Sequence, residues 1–215
     1  VPAGSGLKVY RFGRAEEFEA VDEVLGPIVL EDVALEGRRA RIEISGKTDP
    51  VVEDAPGSLL LNYHKADELR RQKDCIRAFF DHVVLAASGE RAPAPYRACL
   101  LLSDSENEGG SWHVEVFDSI TREEARSYLA TLCREMLRAG NDRLLPCEAV
   151  LDFHKDPSKD LDEIIDKLRG AAFGSFHYGP VPRPESYPSP ATADALATIE
   201  RRFGLYFQRR RESPG

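Results

Sequence analysis

The run Ser58-Leu59-Leu60-Leu61-Asn62-Tyr63 is short and continuously apolar at its centre, and the turn Asp54-Ala55-Pro56-Gly57 stands just ahead of it. An apolar run of this length, bounded by turn residues, reads as a buried central strand. Directly downstream the period changes. Leu69, Ile76, Phe79, Phe80, Val83, Val84 and Ala87 recur at three- and four-residue steps, which predicts a helix over about residues 67–87 with Gly89 placed to end it. At 1.5 Å per residue such a helix is about 30 Å long. Two further strands are expected over residues 96–102 and 112–117, joined by the acidic loop Asp104-Ser105-Glu106-Asn107-Glu108-Gly109-Gly110.

Upstream of the central strand, Ile28-Val29-Leu30 and Val33-Ala34-Leu35 lead through the turn Glu36-Gly37 to Ala40-Arg41-Ile42-Glu43-Ile44. The last run alternates apolar with charged, as a strand with one wet face does, and the whole reads as a hairpin. Gly46-Lys47-Thr48-Asp49-Pro50 is a turn or strand end, and Val51-Val52 is a candidate continuation of the strand. Residues 15–25 read as a short polar helix closed by Gly26-Pro27. Thr121 and Glu124 form a capping box that starts a helix to about residue 139, with Ala125, Leu129, Leu132, Cys133, Met136 and Leu137 inward and Gly140 at its stop. A helix over 161–168, a proline-rich connector over 179–190 and a last helix over about 192–203 complete the reading. The organisation expected is a lead with a short helix (1–26), a central unit (27–178) and a C-terminal connector, helix and basic tail (179–215). A mixed set of strands with flanking helices and no strict βαβ alternation predicts an α/β or α+β domain with one sheet.

Composition excludes several functions. The 215 residues are 42% hydrophobic and 31% charged, an ordinary globular balance and enough chain for one substantial domain. A net charge of −8 argues against a protein that wraps nucleic acid in positive charge, so any DNA contact must come from a local patch or a neighbouring subunit. Cys75, Cys99, Cys133 and Cys147 are irregularly spaced with no C-x-x-C pair, and read as core thiols in a reducing cytosol. The histidines at 64, 82, 113, 154 and 177 show no ligand spacing, so neither metal nor cofactor is expected; His82 reads as a satisfied, partly buried side chain. No Walker motif or Gly-x-Ser-x-Gly elbow occurs, and no apolar run approaches the roughly 20 residues needed to span a bilayer. Residues 1–6 lack the features of a secretion signal, and the missing initiator methionine suggests a piece of something longer. Arg201, Arg202 and Arg209-Arg210-Arg211 are candidates for phosphate or an acidic partner, with a solubilising tail as the simpler account.

One constellation carries a chemical suggestion. A magnesium-dependent nuclease needs carboxylate ligands on adjacent strands and a lysine on the same strand face to orient or activate water. Residues 62 and 64 share a strand face because side chains repeat every second residue. Their identities are wrong for the chemistry: Asn62 stands where a second carboxylate belongs and His64 where the lysine belongs. Lys65 points to the opposite face if the strand continues. Asp49 alone keeps the expected type, and also suits a turn before Pro50.

A Gly-x-x-Asp strand end, a turn and an apolar strand ending at an Asp-x-Lys position resemble the RecB-like branch of the PD-(D/E)XK nucleases. Within that group the chain resembles the C-terminal region of RecC, the gamma subunit of exodeoxyribonuclease V. Val1-Pro2-Ala3-Gly4-Ser5-Gly6 is similar to its Leu-Pro-x-Gly lead, and residues 37–51 to its hairpin before the degenerate metal site. Residues 76–89, from Ile76-Arg77-Ala78-Phe79-Phe80 through Asp81-His82-Val83 to Ser88-Gly89, resemble its helix. Thr121-Arg122-Glu123-Glu124-Ala125 through Leu144-Leu145-Pro146-Cys147 resembles a helix and its exit. The resemblance covers roughly residues 1–150. It implies a restriction-endonuclease-like α/β domain, a mixed sheet flanked by helices, that has lost cleavage. It further implies RecB- and RecD-like partner subunits, DNA held within the complex, and no membrane. Nuclease members also carry Gln-x-x-x-Tyr on the following helix; Gln72 is in place, but Ile76 occupies the tyrosine position. Two other readings stand beside this one. The first is an active magnesium nuclease with migrated ligands, drawn from Asp49, Glu53 or Asp54 with Lys65. The second is an unrelated interaction domain whose exposed aromatics, among Trp112, Phe117, Tyr187, Tyr206 and Phe207, mark a partner surface.

Overall fold

The computed structural model of the chain describes residues 6–13, 23–52, 56–62, 68–102, 111–137, 147–161, 163–164 and 192–211. In chain order the elements are β1 (Leu7–Lys8), β2 (Tyr10–Phe12), β3 (Glu23–Leu25), β4 (Ile28–Leu35), β5 (Arg38–Ile44), β6 (Gly46–Lys47), β7 (Val51–Val52) and β8 (Gly57–Asn62). Then follow α1 (Glu68–Ser88), β9 (Tyr96–Leu102), β10 (Ser111–Phe117), α2 (Arg122–Leu137), α3 (Cys147–Lys155) and α4 (Thr192–Arg209). The fold is α/β.

The main sheet has the order β1-β7-β8-β9-β10. β8 and β9 run parallel in register from Gly57 opposite Arg97 to Asn62 opposite Leu102, while every other pairing in this sheet is antiparallel. Parallel neighbours cannot be joined by a tight turn, and α1 is the crossover that joins them. Gly57 is required where β8 meets β9: a Cβ there would lie 2.6 Å from the Arg97 carbonyl oxygen. Its sheet neighbour permits nothing larger.

α1 lies against β8 and β9 on one side and α2 on another. Its inward residues Cys75, Ile76, Ala78, Phe79, Val83, Leu85 and Ala87 are buried. Phe79 is the hub of an aromatic cluster, with ring centroids 5.3 Å from Phe117, 5.4 Å from Tyr206 and 6.1 Å from Tyr128. These rings come from α1, β10, α2 and α4, so one side chain holds four elements together. Thr121 and Glu124 cap α2 reciprocally through their main-chain N–H groups at 3.0 and 3.2 Å, as the capping box predicts.

The hairpin β4–β5 is also found where it is expected. Glu36 and Gly37 both have positive φ (44° and 82°), the backbone of a two-residue turn that matches strand twist. Its inward residues Ile28, Leu30 and Val33 are buried, and it packs on α2.

Several expectations are corrected. The strands do not form one sheet: besides the main sheet there is a three-stranded β3-β2-β6 sheet and the separate hairpin β4–β5. The proposed helix over 15–25 ends in a strand instead, since Glu23–Leu25 pairs in parallel with Tyr10–Phe12 and buries Leu25; residues 15–22 lie outside the described residues. Gly26-Pro27 therefore links β3 to β4 and caps no helix. Met136 and Leu137 are exposed because the end of α2 runs past the core. Cys147–Lys155 is helical, and the last helix continues to Arg209. Among the described residues, no helix is long and apolar enough to cross a membrane. The connector over 179–190 and most of the helix expected over 161–168 lie outside the described residues.

The basic end is not a loose tail. Arg209 pairs with Glu124, Arg210 with Glu115 at 2.7 Å and Arg211 with Asp118 at 2.6 Å. Main-chain bonds from Asp118 N–H to Arg209 C=O and from Arg211 N–H to Val116 C=O (2.7 and 2.9 Å) fasten the end of α4 beside β10. α4 also buries Tyr206 in the central core, and its residue Arg202 accepts a hydrogen bond from the Tyr128 hydroxyl at its carbonyl.

Candidate functional site

Asp49 lies immediately before β7, and Asn62 ends β8, the strand paired with it. A hydrogen bond from Leu59 N–H to Pro50 C=O (2.7 Å) carries that pairing one step beyond β7 towards residue 49. In an antiparallel pair the start of one strand lies beside the end of the other, so the two positions occupy the same end of the sheet. Gln72 is half-buried on the α1 crossover, and Ile76 is buried one turn later. His64, Glu53, Asp54 and Lys65 lie outside the described residues.

α1 grips residue 49 twice. Arg77 Nη2 donates to both carboxylate oxygens of Asp49, at 2.8 and 2.9 Å. One turn along, Asp81 Oδ2 accepts the main-chain N–H of Asp49 at 3.2 Å. The preceding Thr48 is buried and tied to β2: its N–H donates to Tyr10 C=O at 2.9 Å, and its hydroxyl accepts from Tyr10 N–H at 3.1 Å. Residue 49 is thus fixed by neighbours on both sides, and its carboxylate is neutralised by a guanidinium.

Asp81 leads into a buried polar chain that sequence reading did not find. Ser58 Oγ on β8 donates to Asp81 Oδ2 at 2.5 Å, and since a hydroxyl carries one proton, Ser58 accepts from the Tyr96 hydroxyl at 2.9 Å. The Tyr96 ring stacks on His82, centroids 4.8 Å apart and 10° from parallel. His82 Nε2 lies 3.0 Å from the Asp118 carbonyl oxygen, which can only accept, so Nε2 carries the proton. Burial pushes the Asp81 carboxyl up to about 7, the nearby Asp49 charge adds to this, and the Ser58 hydrogen bond opposes it. Burial also lowers His82, so its ring is neutral. His82 therefore has the satisfied, buried role expected of it.

Beside this chain opens a cavity of about 450 Å³ whose lining includes His82, Tyr96, Tyr10, Arg91 and Ile120. Arg91 lies 4.9 Å above the Tyr10 ring and donates to its hydroxyl at 2.5 Å. The cavity holds hydrogen-bonding groups, but its imidazole and phenols are already engaged with one another or with the main chain.

At a different part of α1, Cys75 meets His113 and Glu115 of β10. Their potential ligand atoms all lie within 4.8 Å of one another. Glu115 is buried and paired with Arg210. Neither cluster has a sequence signature: Ser58–Asp81, Ser58–Tyr96 and Glu115–Arg210 are 23, 38 and 95 residues apart, and they meet only through the sheet, α1 and the end of α4.

The arrangement at Asp49 is a structural clamp. A hard divalent cation at Asp49 would have to displace Arg77. No family model matches the chain, and no curated protein matches it.

Proposed function

We propose that the chain is a restriction-endonuclease-like domain that has lost cleavage, the C-terminal domain of a RecC-type subunit in a RecBCD helicase–nuclease of the bacterial cytoplasm. In this reading it contributes subunit and DNA contacts during double-strand break repair and recombination, while RecB- and RecD-like subunits supply the cutting and unwinding. The observation that carries the reading is the pairing of Asp49 with Arg77. The remaining acid of a nuclease-like set stands at the expected sheet end, ahead of a strand, a long crossover helix and a parallel strand, and its charge is used internally.

The charge pattern supports a role in an assembly over that of a free-standing DNA binder. Arg201 and Arg202 pair with Glu135, and Arg209 to Arg211 each hold a carboxylate of the same chain. With a net charge of −8, the isolated chain should bind DNA weakly and lose it at physiological salt. Trp112 and Val114, alternate residues of β10, present exposed apolar surface suited to a subunit contact. Phe117 and Tyr206 are buried, so neither marks a partner surface.

The purified chain incubated with single- and double-stranded DNA and Mg²⁺ or Mn²⁺ tests the reading. No cleavage above a no-protein control is expected. Cleavage that scales with protein and vanishes in EDTA would favour the migrated-ligand nuclease instead.

A further inference from the structure

The cluster at Cys75 has features that its ion pairing alone leaves unexplained. Cys75 is 1% exposed on α1, Glu115 is 3% exposed on β10, and His113 stands two residues from Glu115 on the same strand face. His113 Nε2 and Glu115 Oε2 are 3.4 Å apart, long for a hydrogen bond. Two ligands bonded to a tetrahedral zinc ion at about 2.0–2.3 Å stand roughly 3.3–3.8 Å apart, so this separation is that of a tetrahedron edge. With every candidate ligand atom within 4.8 Å of the others, the sulfur is within about an ångström of a tetrahedron-edge separation from its neighbours.

The second observation is independent of these three residues. The hydroxyl of Tyr206 is buried with no hydrogen-bond partner, on a residue only 1% exposed. The Tyr206 ring packs on Phe79 of α1 and Phe117 of β10, the two elements that carry the cluster. A buried hydroxyl left without a partner costs free energy that a filled site would recover. A three-ligand metal keeps a water in its fourth position, and that water is a suitable partner for this hydroxyl.

We infer that Cys75, His113 and Glu115 form a binding site for a zinc-class divalent cation, in the part of the core that holds the unpartnered Tyr206 hydroxyl. The inference is separate from the nuclease-like reading, and concerns the opposite, buried face of α1. Thiolate, imidazole and carboxylate together select a borderline-soft ion such as Zn²⁺ over Mg²⁺ or Ca²⁺. Arg210 donates to Glu115 Oε1 at 2.7 Å and, more weakly, to Oε2 at 3.3 Å; an ion takes Oε2 from the longer bond while the shorter one orients the carboxylate, as hydrogen-bonded outer partners do at metal sites. On binding, the Cys75 S–H bond breaks, sulfur bonds to the metal and the proton passes to solvent. The ion would join α1 to β10, with α4 as the outer support.

Cobalt(II) replaces zinc in such sites and reports thiolate ligation by a near-ultraviolet charge-transfer band. The full chain, stripped of metal by dialysis against chelator, is titrated with Co²⁺ and then with Zn²⁺ as competitor. The expected result is one equivalent of Co²⁺ giving the thiolate band, bleached by one equivalent of Zn²⁺. Cys75→Ser should abolish the band, while Cys147→Ser retains it. His113 is only partly buried, so His113→Asn should fold normally by circular dichroism and bind at least about tenfold more weakly. If Cys75→Ser fails to fold, the His113→Asn arm decides by itself. Lack of a band with excess Co²⁺, a band that follows Cys147, or unchanged affinity in His113→Asn would each overturn the site.

Discussion

Two carboxylate–arginine pairs lie on opposite faces of α1, one at Arg77 and one beside Cys75 two residues earlier, and they differ in depth. On the outer face Asp49 meets Arg77, whose side chain is 62% exposed. On the inner face, beside Cys75, Glu115 meets Arg210, with side chains 4% and 28% exposed. The chemistry of the pairs is alike, so surroundings set their value. An ion pair open to solvent contributes little, whereas removing one partner of a buried pair leaves a charge with nothing to balance it. The Asp49 pair can therefore be lost at small cost. The Glu115 pair is built into the core.

Phe79 anchors the core on which α1 rests, and removing it should have the largest effect. Phe79→Ala is expected to cost about 4 kcal/mol, measured by denaturant unfolding, because four elements share its ring. Arg210→Ala should cost about 3 kcal/mol, since buried Glu115 keeps its charge and loses its partner. A loss below about 1 kcal/mol would show that the Glu115 pair is no deeper in energetic terms than the Asp49 pair.

The third test uses Asp81. Its carboxyl sits at about 7 in the folded chain against an ordinary 3.8, so between those values the folded state holds more protons than the unfolded state. Stability from this group is fully present below pH 4 and is lost as pH rises towards 7. The loss should be roughly 2 kcal/mol, about half the full linkage value, because a buried group relaxes towards water as it ionises. Asp81→Asn should flatten the profile between pH 4 and 7; an unchanged slope would assign it to other groups. The smallest effect belongs to the exposed pair: a double-mutant cycle of Asp49→Ala and Arg77→Ala should give a coupling below about 1 kcal/mol.

What could be read from sequence follows from the range of each signal. The β4–β5 hairpin, β8, α1, β9, β10 and the Thr121–Glu124 cap all announce themselves through periodicity or residues three apart, and all are present. β3 was unreadable because three residues pair in parallel with a strand that begins thirteen positions earlier, at Tyr10. The docking of Arg209 to Arg211 depends on partners 85 to 95 residues away, and no local pattern separates it from a solvated tail. The candidate positions Asp49, Asn62 and Gln72 could be named from spacing. Their surroundings could not: Arg77 and Asp81 look like ordinary helix-surface residues until the crossover brings them over residue 49.

The central claim is that the Asp49 end of the sheet no longer holds a catalytic metal. Calorimetric titration of the chain with Mg²⁺, a hard ion that the Cys75 cluster does not favour, addresses it directly when run beside Asp49→Ala. The account predicts no saturable Mg²⁺ binding that depends on Asp49, and the same heats for both proteins. Saturable binding in the unaltered chain that disappears with Asp49→Ala would contradict it.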